Sequence, residues 1–394
     1  MIALRSIQSL GHLMAAAVVV ATIGQAVTAV TPAGAIETIA KQAILLDMNT
    51  GVVLFDKAAD ERMHPASMSK LMTLFVLFEH LQKGSLSLDD TLSVSENAWR
   101  KGGVKSGSST MFLEPGSRVR VEDLIRGITV QSGNDACIVI AEGLAGSEEA
   151  FAVEMTRRAA DLGLSGSTFR NATGWPDDDH LMTAHDLARI AQLTIKNYPQ
   201  YYHYYSERIF TYNGIRQGNR NPLLYRDIAA DGLKTGHTNP SGYGLTASAT
   251  RANRRLILVL NGMPSINARS QESERLLEWG FRKFNNYALF RAGETVADAE
   301  IWLGTQKTIP LVIEQELIVT LPRKSRSDMK VSVRYEGPIP APLKVGTPVA
   351  MLVITAPNTD TIEIPLIAGS NVEQLGLFGR LGAALKAILW GLAT

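Results

Sequence analysis

The sequence predicts an α/β (α+β) fold: an antiparallel sheet flanked by helices, then a small all-β domain and a C-terminal amphipathic helix. Two apolar runs around an Asn-Thr-Gly turn, at residues 43–54, predict a β-hairpin. Long apolar stretches at residues 71–81, 121–130 and 136–143 predict helices. After residue 284, short β-rich runs alternate with Pro, Gly and Lys/Arg/Ser clusters. Helices between an early hairpin and later strands favour this fold class.

Composition indicates a folded protein with more than one domain. The chain has 394 residues, of which 45% are hydrophobic and 20% charged. A formal net charge of +1 gives no reason to expect nucleic acid as a partner. We predict a signal peptide at residues 1–35, a catalytic domain at 36–284, a small β domain at 285–369 and a membrane-associating helix at 370–394.

The first 35 residues have the three-part pattern of a secretory signal. Arg5 is the only charge, an apolar core spans residues 14–22, and small residues end at Ala35. We expect cleavage after Ala35, with Ala29 as a second candidate. The alternative is a membrane anchor, but the apolar core is shorter than the roughly 20 residues that a span needs. The protein is therefore expected to be exported, to the periplasmic face of the cytoplasmic membrane.

The C-terminal segment has a broad apolar helical face with Arg380 and Lys386 on the other side. Two cations predict only modest attraction to anionic lipid. We expect this helix to dock on a membrane surface, making the protein peripheral; packing on the protein's own core is the alternative. The apolar face consists of Leu377, Leu381, Leu385, Ile388 and Leu392.

Several chemistries lack their usual signatures. The chain has no Gly-x-Ser-x-Gly window, no His-Glu-x-x-His spacing and no phosphate-binding loop order. We therefore predict no cofactor and no metal. The single cysteine, Cys137, excludes an intramolecular disulfide. Because its neighbours are apolar, we expect it in the core.

The most informative motif is Ser67-Met-Ser-Lys70, which precedes the first apolar helix. A serine and a lysine three positions apart face the same side of a helix. The amine can then activate the hydroxyl as a nucleophile, provided that burial and a neighbouring positive charge lower its pKa. Lys234 could supply that charge. A second Ser-x-x-Lys, at Ser327 and Lys330, lies in a polar stretch without further support.

Two further motifs narrow the choice of enzyme. Ser-x-Asn begins at Ser95, Ser132 and Ser265, whereas Lys-Thr-Gly occurs once, at Lys234. Ser-x-x-Lys, Ser-x-Asn and Lys-Thr-Gly in this order are the signature of penicillin-binding proteins and serine β-lactamases.

Over nearly its whole exported length the chain resembles the serine-type D-alanyl-D-alanine carboxypeptidases, the low-molecular-mass penicillin-binding proteins. The resemblance selects Ser132 among the three Ser-x-Asn copies and implies a β-lactamase/transpeptidase-like catalytic domain. The strings that carry it are Pro-Ala-Ser-Met-Ser-Lys70, Leu124-Ile-Arg-Gly-Ile-Thr-Val-Gln-Ser-Gly-Asn-Asp-Ala-Cys137, Asn213-Gly-Ile-Arg-Gln-Gly-Asn-Arg-Asn221, Asp231-Gly-Leu-Lys-Thr-Gly-His-Thr238 and Leu277-Glu-Trp-Gly-Phe281.

The resemblance implies four catalytic residues. Ser67 would attack the carbonyl between two terminal D-alanines, with Lys70 as general base. Ser132 would relay a proton to the departing amine, and Asn134 would orient Lys70 and the substrate amide. The backbone N–H groups of Ser67 and His237 would form the oxyanion hole.

It also implies the residues that bind substrate. Lys234, Thr235 and His237 would hold the peptide and its carboxylate along a strand edge, with Gly236 allowing close backbone approach. Arg269 resembles the family arginine near that carboxylate; the alternative is a surface salt-bridge partner. The implied partners are a peptidoglycan peptide ending in D-Ala-D-Ala and β-lactam antibiotics as covalent inhibitors.

Related activities remain as alternatives. A class A β-lactamase would carry Glu-x-x-Leu-Asn between Asn134 and Lys234, and none occurs there. A D,D-endopeptidase of peptidoglycan crosslinks would use the same residues and stays open. A non-enzymatic penicillin sensor would be expected to lose a proton-relay residue. Trp175 stands where many family members have leucine, and Asp177–Asp179 adds an acidic cluster, which puts fine substrate preference in doubt; the alternative is a harmless loop variant.

Overall fold

The structure is a computed structural model, and it describes residues 36–382. The predicted signal peptide at residues 1–35 lies outside the described residues, as does most of the predicted C-terminal helix.

The first part of the chain combines helices with a large sheet and two small two-stranded sheets. Its elements are β1 (Gln42–Asp47), β2 (Val53–Lys57), α1 (Lys70–Gln82), β3 (Thr91–Ser93), α2 (Glu96–Gly102), β4 (Arg118–Arg120), α3 (Val121–Gln131), α4 (Asn134–Ala145), α5 (Glu148–Asp161), α6 (Ala184–Asn197), α7 (Pro199–Tyr202), β5 (Ile209–Tyr212), β6 (Ile215–Gly218), β7 (Ala230–Thr238), β8 (Gly242–Arg251), β9 (Arg254–Met263) and α8 (Ile266–Lys283).

The second part is built from strands. They are β10 (Phe284–Phe290), β11 (Thr295–Trp302), β12 (Thr308–Ile313), β13 (Leu317–Pro322), β14 (Lys330–Arg334), β15 (Ile339–Pro340), β16 (Pro348–Thr355) and β17 (Ile362–Ala368).

The central sheet is antiparallel, in the order β2-β1-β9-β8-β7, and is covered by helices on both faces. Alternate residues of a strand point to opposite faces. Ile44 and Leu46 accordingly join the core around α1, whereas Ala43 and Leu45 join the core around α8. This burial on two faces explains the continuous apolar run of β1. The predicted mixture of helices with an antiparallel sheet is confirmed, and β7 is left as an edge strand.

Helix α1 is the buried axis of this part. Apolar side chains surround nearly its whole circumference, and residues 70–78 are all buried. A helix that is apolar all round belongs in a core. A 3-10 helix, Ala66–Ser69, leads directly into it. Lys70, the first residue of α1, is therefore held inside the protein.

The second part forms the predicted β domain. Six strands are arranged in the order β14-β16-β17-β12-β11-β15, and β10 pairs with β13. Strands expected at residues 317–321, 330–335, 349–355 and 361–367 correspond to β13, β14, β16 and β17. The sequence did not indicate β11, because only Ala299 is fully buried in that strand.

A buried ion pair lies where the two parts meet. The Asp47 carboxylate accepts hydrogen bonds from Arg254 Nε at 2.6 Å and from Asn286 Nδ2 at 3.1 Å. Arg254 Nη1 also donates to the carbonyl of Phe284 at 2.8 Å. The network joins β1 and β9 to β10, so removal of either charge would leave the other buried without a charged partner.

The C-terminal helix begins at Leu377 rather than near residue 370. Val372 and Gln374 form bridges with Leu343 and Gly304, so they belong to the β domain. Within residues 377–382, three large apolar side chains are exposed: Leu377, Phe378 and Leu381. Among residues 36–382, no helix is both long enough and apolar enough to cross a membrane.

Candidate active site

Three hydrogen bonds fix the amine of Lys70 beside Ser67. Lys70 Nζ lies 2.7 Å from Ser67 Oγ, 2.7 Å from Asn134 Oδ1 and 2.6 Å from the carbonyl of Thr173. Burial is the main reason that the pKa of Lys70 falls to about 8, and the charge of Arg220 acts in the same direction. A substantial fraction of this amine is therefore neutral near pH 8, as a general base requires.

Two glycines let other segments press against the turn that carries Ser67. A Cβ on Gly174 would lie 2.0 Å from the carbonyl oxygen of Ala66, and one on Gly236 would lie 2.9 Å from that of Pro65. Neither site has room for a side chain. The close approach expected of Gly236 is thus present, and both segments fix the position of Ser67.

The Ser-x-Asn motif lies at the junction of α3 and α4. Ser132 ends α3 in the left-handed region, with φ 64°, and Asn134 is the first residue of α4. Asn134 Nδ2 donates to Ser108 Oγ at 2.9 Å while its Oδ1 accepts from Lys70. Ser132 Oγ is buried at the cleft and has no hydrogen-bond partner among residues 36–382.

The buried carboxylate of Asp135 anchors the neighbouring loop. It accepts hydrogen bonds from Thr110 Oγ1 at 2.6 Å and from the backbone N–H groups of Met111 and Leu113. A Cβ on Gly102 would lie 2.3 Å from the Asp135 nitrogen, so α2 can pack here only with glycine at this position. The Gly- and Ser-rich segment at residues 101–110 thus lines the cleft, through Gly107, Ser108 and Ser109.

The Lys-Thr-Gly motif lies on the edge strand β7. Lys234 is buried and donates to the carbonyl of Thr235 at 3.0 Å. Burial, followed by the positive charge of Lys70, lowers the pKa of Lys234. The charge of Lys70 thus acts on Lys234, although desolvation is the larger effect. The positive charge that helps to lower the pKa of Lys70 is that of Arg220 rather than the predicted Lys234.

Arg269, near the start of α8, is buried. Its Nη1 donates to the carbonyl of Gly244 at 3.4 Å, and its guanidinium carbon lies 5.8 Å from the Tyr243 ring centroid. Burial lowers the pKa of Arg269 to about 10. Since it forms no ion pair with any residue in 36–382, the alternative of a surface salt bridge is wrong. The exposed ring of His237 stacks on Tyr243, with centroids 3.8 Å apart.

These segments enclose a cleft of about 820 Å³, and no carboxylate is among the described residues that line it. Four cations lie in or beneath it: Lys70, Lys234, Arg220 and Arg269. None has an acidic partner within 4.0 Å in the described part of the chain. Three of them, Lys70, Lys234 and Arg269, are buried, and buried cations without an acidic partner favour an anionic ligand. The predicted residues in the lining are Ser67, Ser132, Asn134, Thr235, Gly236, His237 and Arg269.

Sequence reasoning assigned no role to three residues that shape the cleft. Arg220 lines it and donates to Ser109 Oγ, while Ser108 holds Asn134. Asn171 Oδ1 accepts from the backbone N–H groups of residues 173, 174 and 175, and so organises the loop whose carbonyl binds Lys70. Arg220 belongs to the segment Asn213–Asn221, which contains no acidic residue. The absence of an acid near this arginine was the sequence signal that could have identified it.

The other copies of the motifs are not among the described residues that line the cleft. Ser95 and Ser265 are helix N-caps whose hydroxyls accept from Ala98 N at 2.9 Å and Ala268 N at 3.1 Å. Ser327 and Lys330 are exposed in the β domain. Cys137 is buried in the core, as expected, and burial raises the pKa of its thiol to about 12.

Ser67 is hydrogen-bonded to a buried lysine one turn later, beside an edge strand that carries Lys-Thr-Gly. This arrangement defines a serine acyl-transfer enzyme of the penicillin-recognising class. Comparison with known families is more specific. Residues 25–265 match the D-alanyl-D-alanine carboxypeptidase model, and residues 284–374 match the C-terminal domain of penicillin-binding protein 5. The chain belongs to the D-alanyl-D-alanine carboxypeptidase family.

Individual relatives agree with this assignment. The chain is 39% identical to D-alanyl-D-alanine carboxypeptidase DacC of Escherichia coli, covering 86% of this chain and 85% of that protein. It is 37% identical to DacA of the same organism, covering 87% and 86%. Penicillin-binding protein 5 from Haemophilus influenzae superposes with a TM-score of 0.78 at 33% identity, covering 87% of this chain and all of that one.

Proposed function

We propose that this protein is a serine D-Ala-D-Ala carboxypeptidase that removes the terminal D-alanine from peptidoglycan stem pentapeptides. The observation that carries the proposal is the hydrogen bond between Lys70 Nζ and Ser67 Oγ, in a cleft whose cations have no acidic partner among the described residues. Family membership supports the same reaction.

Acylation begins at Ser67. The neutral amine of Lys70 accepts the hydroxyl proton as Oγ attacks the carbonyl carbon between the two D-alanines. The resulting oxyanion is stabilised by the backbone N–H groups of Ser67 and His237 and by the N-terminus of α1, which begins next to the nucleophile.

The intermediate then collapses with cleavage of the peptide C–N bond. Lys70 gives up the proton that it took from Ser67, and Ser132 relays it to the departing amine, so D-alanine leaves and the remaining peptide is esterified to Ser67. The unpartnered hydroxyl of Ser132 beside the cleft supports this role. Water hydrolyses the ester in the second half-reaction, which restores the Ser67 hydroxyl.

The substrate's terminal carboxylate accounts for the unpaired cations. Arg269 and Lys234 are both buried without an acid, and Thr235 lines the cleft beside them. A charge-assisted hydrogen bond contributes about 1.5–3 kcal/mol. The peptide is expected to lie along the free edge of β7, because an extended chain can pair with an edge strand.

The same site accounts for covalent inhibition by penicillin. A β-lactam is an activated amide that acylates Ser67 by the same attack. The described lining contains no carboxylate to activate a deacylating water. We therefore expect the penicilloyl ester to be released slowly, unlike that of a class A β-lactamase.

Release of free D-alanine from a pentapeptide ending in D-Ala-D-Ala tests the proposal. The unaltered protein should release it, and Ser67→Ala should not. Equal release by both proteins would exclude Ser67 as the nucleophile. Faster cleavage of a crosslinked D,D-dimer than of the pentapeptide would favour the endopeptidase alternative.

We also propose that the protein is exported and held at the periplasmic face of the cytoplasmic membrane by its C-terminal helix. The exposed Leu377, Phe378 and Leu381 at the start of that helix support docking rather than packing on the protein's own core. Deletion after Gly376 leaves the β-domain bridges at Val372 and Gln374 in place. The truncated protein should no longer sediment with phosphatidylglycerol-containing vesicles; equal sedimentation would exclude the anchor.

A further inference from the structure

Trp175 is an aromatic side chain in the catalytic cleft to which the mechanism gives no role. It is half-buried, and it lines the cleft together with Gly174, Pro176 and Ser67. Gly174 is in contact with the turn that carries the nucleophile, since a Cβ there would lie 2.0 Å from the carbonyl of Ala66. Trp175 therefore follows directly in the chain a residue that touches the turn carrying the nucleophile, and both line the same cleft as Ser67.

The backbone of Trp175 is held from both sides. Its N–H donates to Asn171 Oδ1 at 3.1 Å, and its carbonyl accepts from Asn171 Nδ2 at 3.1 Å. Pro176 further restricts the chain. The same loop accepts the hydrogen bond from Lys70 at Thr173. The backbone of Trp175 thus has a fixed position relative to the reacting groups, which a specificity-determining residue requires.

The distribution of charge indicates which part of the substrate lies against it. Residues 171–176 are Asn-Ala-Thr-Gly-Trp-Pro and carry no charge. The cations that would hold the terminal carboxylate belong to other segments: β7 for Lys234, α8 for Arg269 and the segment after β6 for Arg220. The wall at residues 171–176 is consequently left for an uncharged part of the acyl portion.

We infer that Trp175 forms an apolar subsite for the side chain of the residue immediately before D-Ala-D-Ala, and that this subsite favours a long aliphatic side chain. The inference rests on the proposed function. That residue stays bound after D-alanine leaves, one residue from the ester on Ser67. A methylene chain packed on an indole face gains apolar burial and dispersion contacts that a glycine cannot supply.

The test compares two peptides and matched variants. Release of D-alanine is measured from two peptides. Diacetyl-L-Lys-D-Ala-D-Ala has a long aliphatic side chain before D-Ala-D-Ala, and acetyl-Gly-D-Ala-D-Ala has no side chain there. Trp175→Ala should lower kcat/KM for the lysine peptide about tenfold and for the glycine peptide less than twofold. Trp175→Phe should recover most of the loss. Trp302→Ala, in strand β11 of the β domain, should change neither.

An equal loss on both peptides would overturn the inference, because it would assign Trp175 a general structural or catalytic effect. No loss on either peptide would overturn it as well. If the unaltered protein released D-alanine from neither peptide, the proposed function itself would fail, and the inference with it. Melting temperatures of the variants identify any loss that arises from unfolding.

Discussion

The acylation rate should depend on pH through the amine of Lys70. Its lowered pKa, about 8, means that the neutral base is about 9% populated at pH 7 and about 1% at pH 6. The second-order rate constant for acylation by a fluorescent penicillin should therefore rise about tenfold per pH unit up to pH 7. It should then level off above pH 8.

The sign follows from burial. Desolvation disfavours the charged amine, so the pKa falls and the base becomes available at lower pH than for an exposed lysine. Burial and the charge of Lys70 also lower the pKa of Lys234. Lys70→Arg is the control: its guanidinium stays protonated, and acylation should fall at least about a hundredfold at every pH. A flat profile for the unaltered protein, or a midpoint near 10.5, would refute this reasoning.

Three further changes test the site and its support. Arg269→Gln should lower kcat/KM for D-alanine release about 10- to 100-fold without lowering the melting temperature, because it removes a buried unpaired charge. Gly102→Ala should lower the free energy of unfolding by about 1–3 kcal/mol in urea titrations, since its Cβ would meet Asp135. Asn171→Ala should cost about 2–3 kcal/mol and slow D-alanine release, because it frees the loop that binds Lys70.

Each of these has its own control. Unchanged kinetics for Arg269→Gln would mean that the carboxylate binds elsewhere. For Gly102 the matched variant is Gly376→Ala, which has open space around the new methyl group and should leave stability unaltered. Asn171→Asp retains the accepting oxygens and should keep more stability than Asn171→Ala; the reverse order would contradict the proposed hydrogen bonds.

The chemistry was more predictable from the sequence than the surroundings of the site were. The Ser-x-x-Lys spacing is a local property of one helical turn, so the contact between Ser67 and Lys70 could be predicted directly. The choice of Ser132 over Ser95 needed the family resemblance. The reason that Ser95 is different, its hydroxyl capping α2, depends on where that helix begins.

Long-range features escaped prediction. The anchoring of Thr173 by Asn171 and the approach of Arg220 to the cleft depend on how distant segments fold together. Strand β11 was missed because its burial pattern lacks a regular apolar alternation. Similarly, an apolar helical pattern does not reveal that Val372 pairs with Leu343 inside the β domain. Because of this pairing, the helix begins only at Leu377.

The central claim is that Ser67 forms a covalent acyl-enzyme in this cleft. Its most direct test is peptide mapping by mass spectrometry after brief exposure to benzylpenicillin. The account predicts one penicilloyl group, on the peptide containing Ser67, and no adduct on Ser67→Ala. An adduct on another residue, or equal labelling of Ser67→Ala, would contradict it.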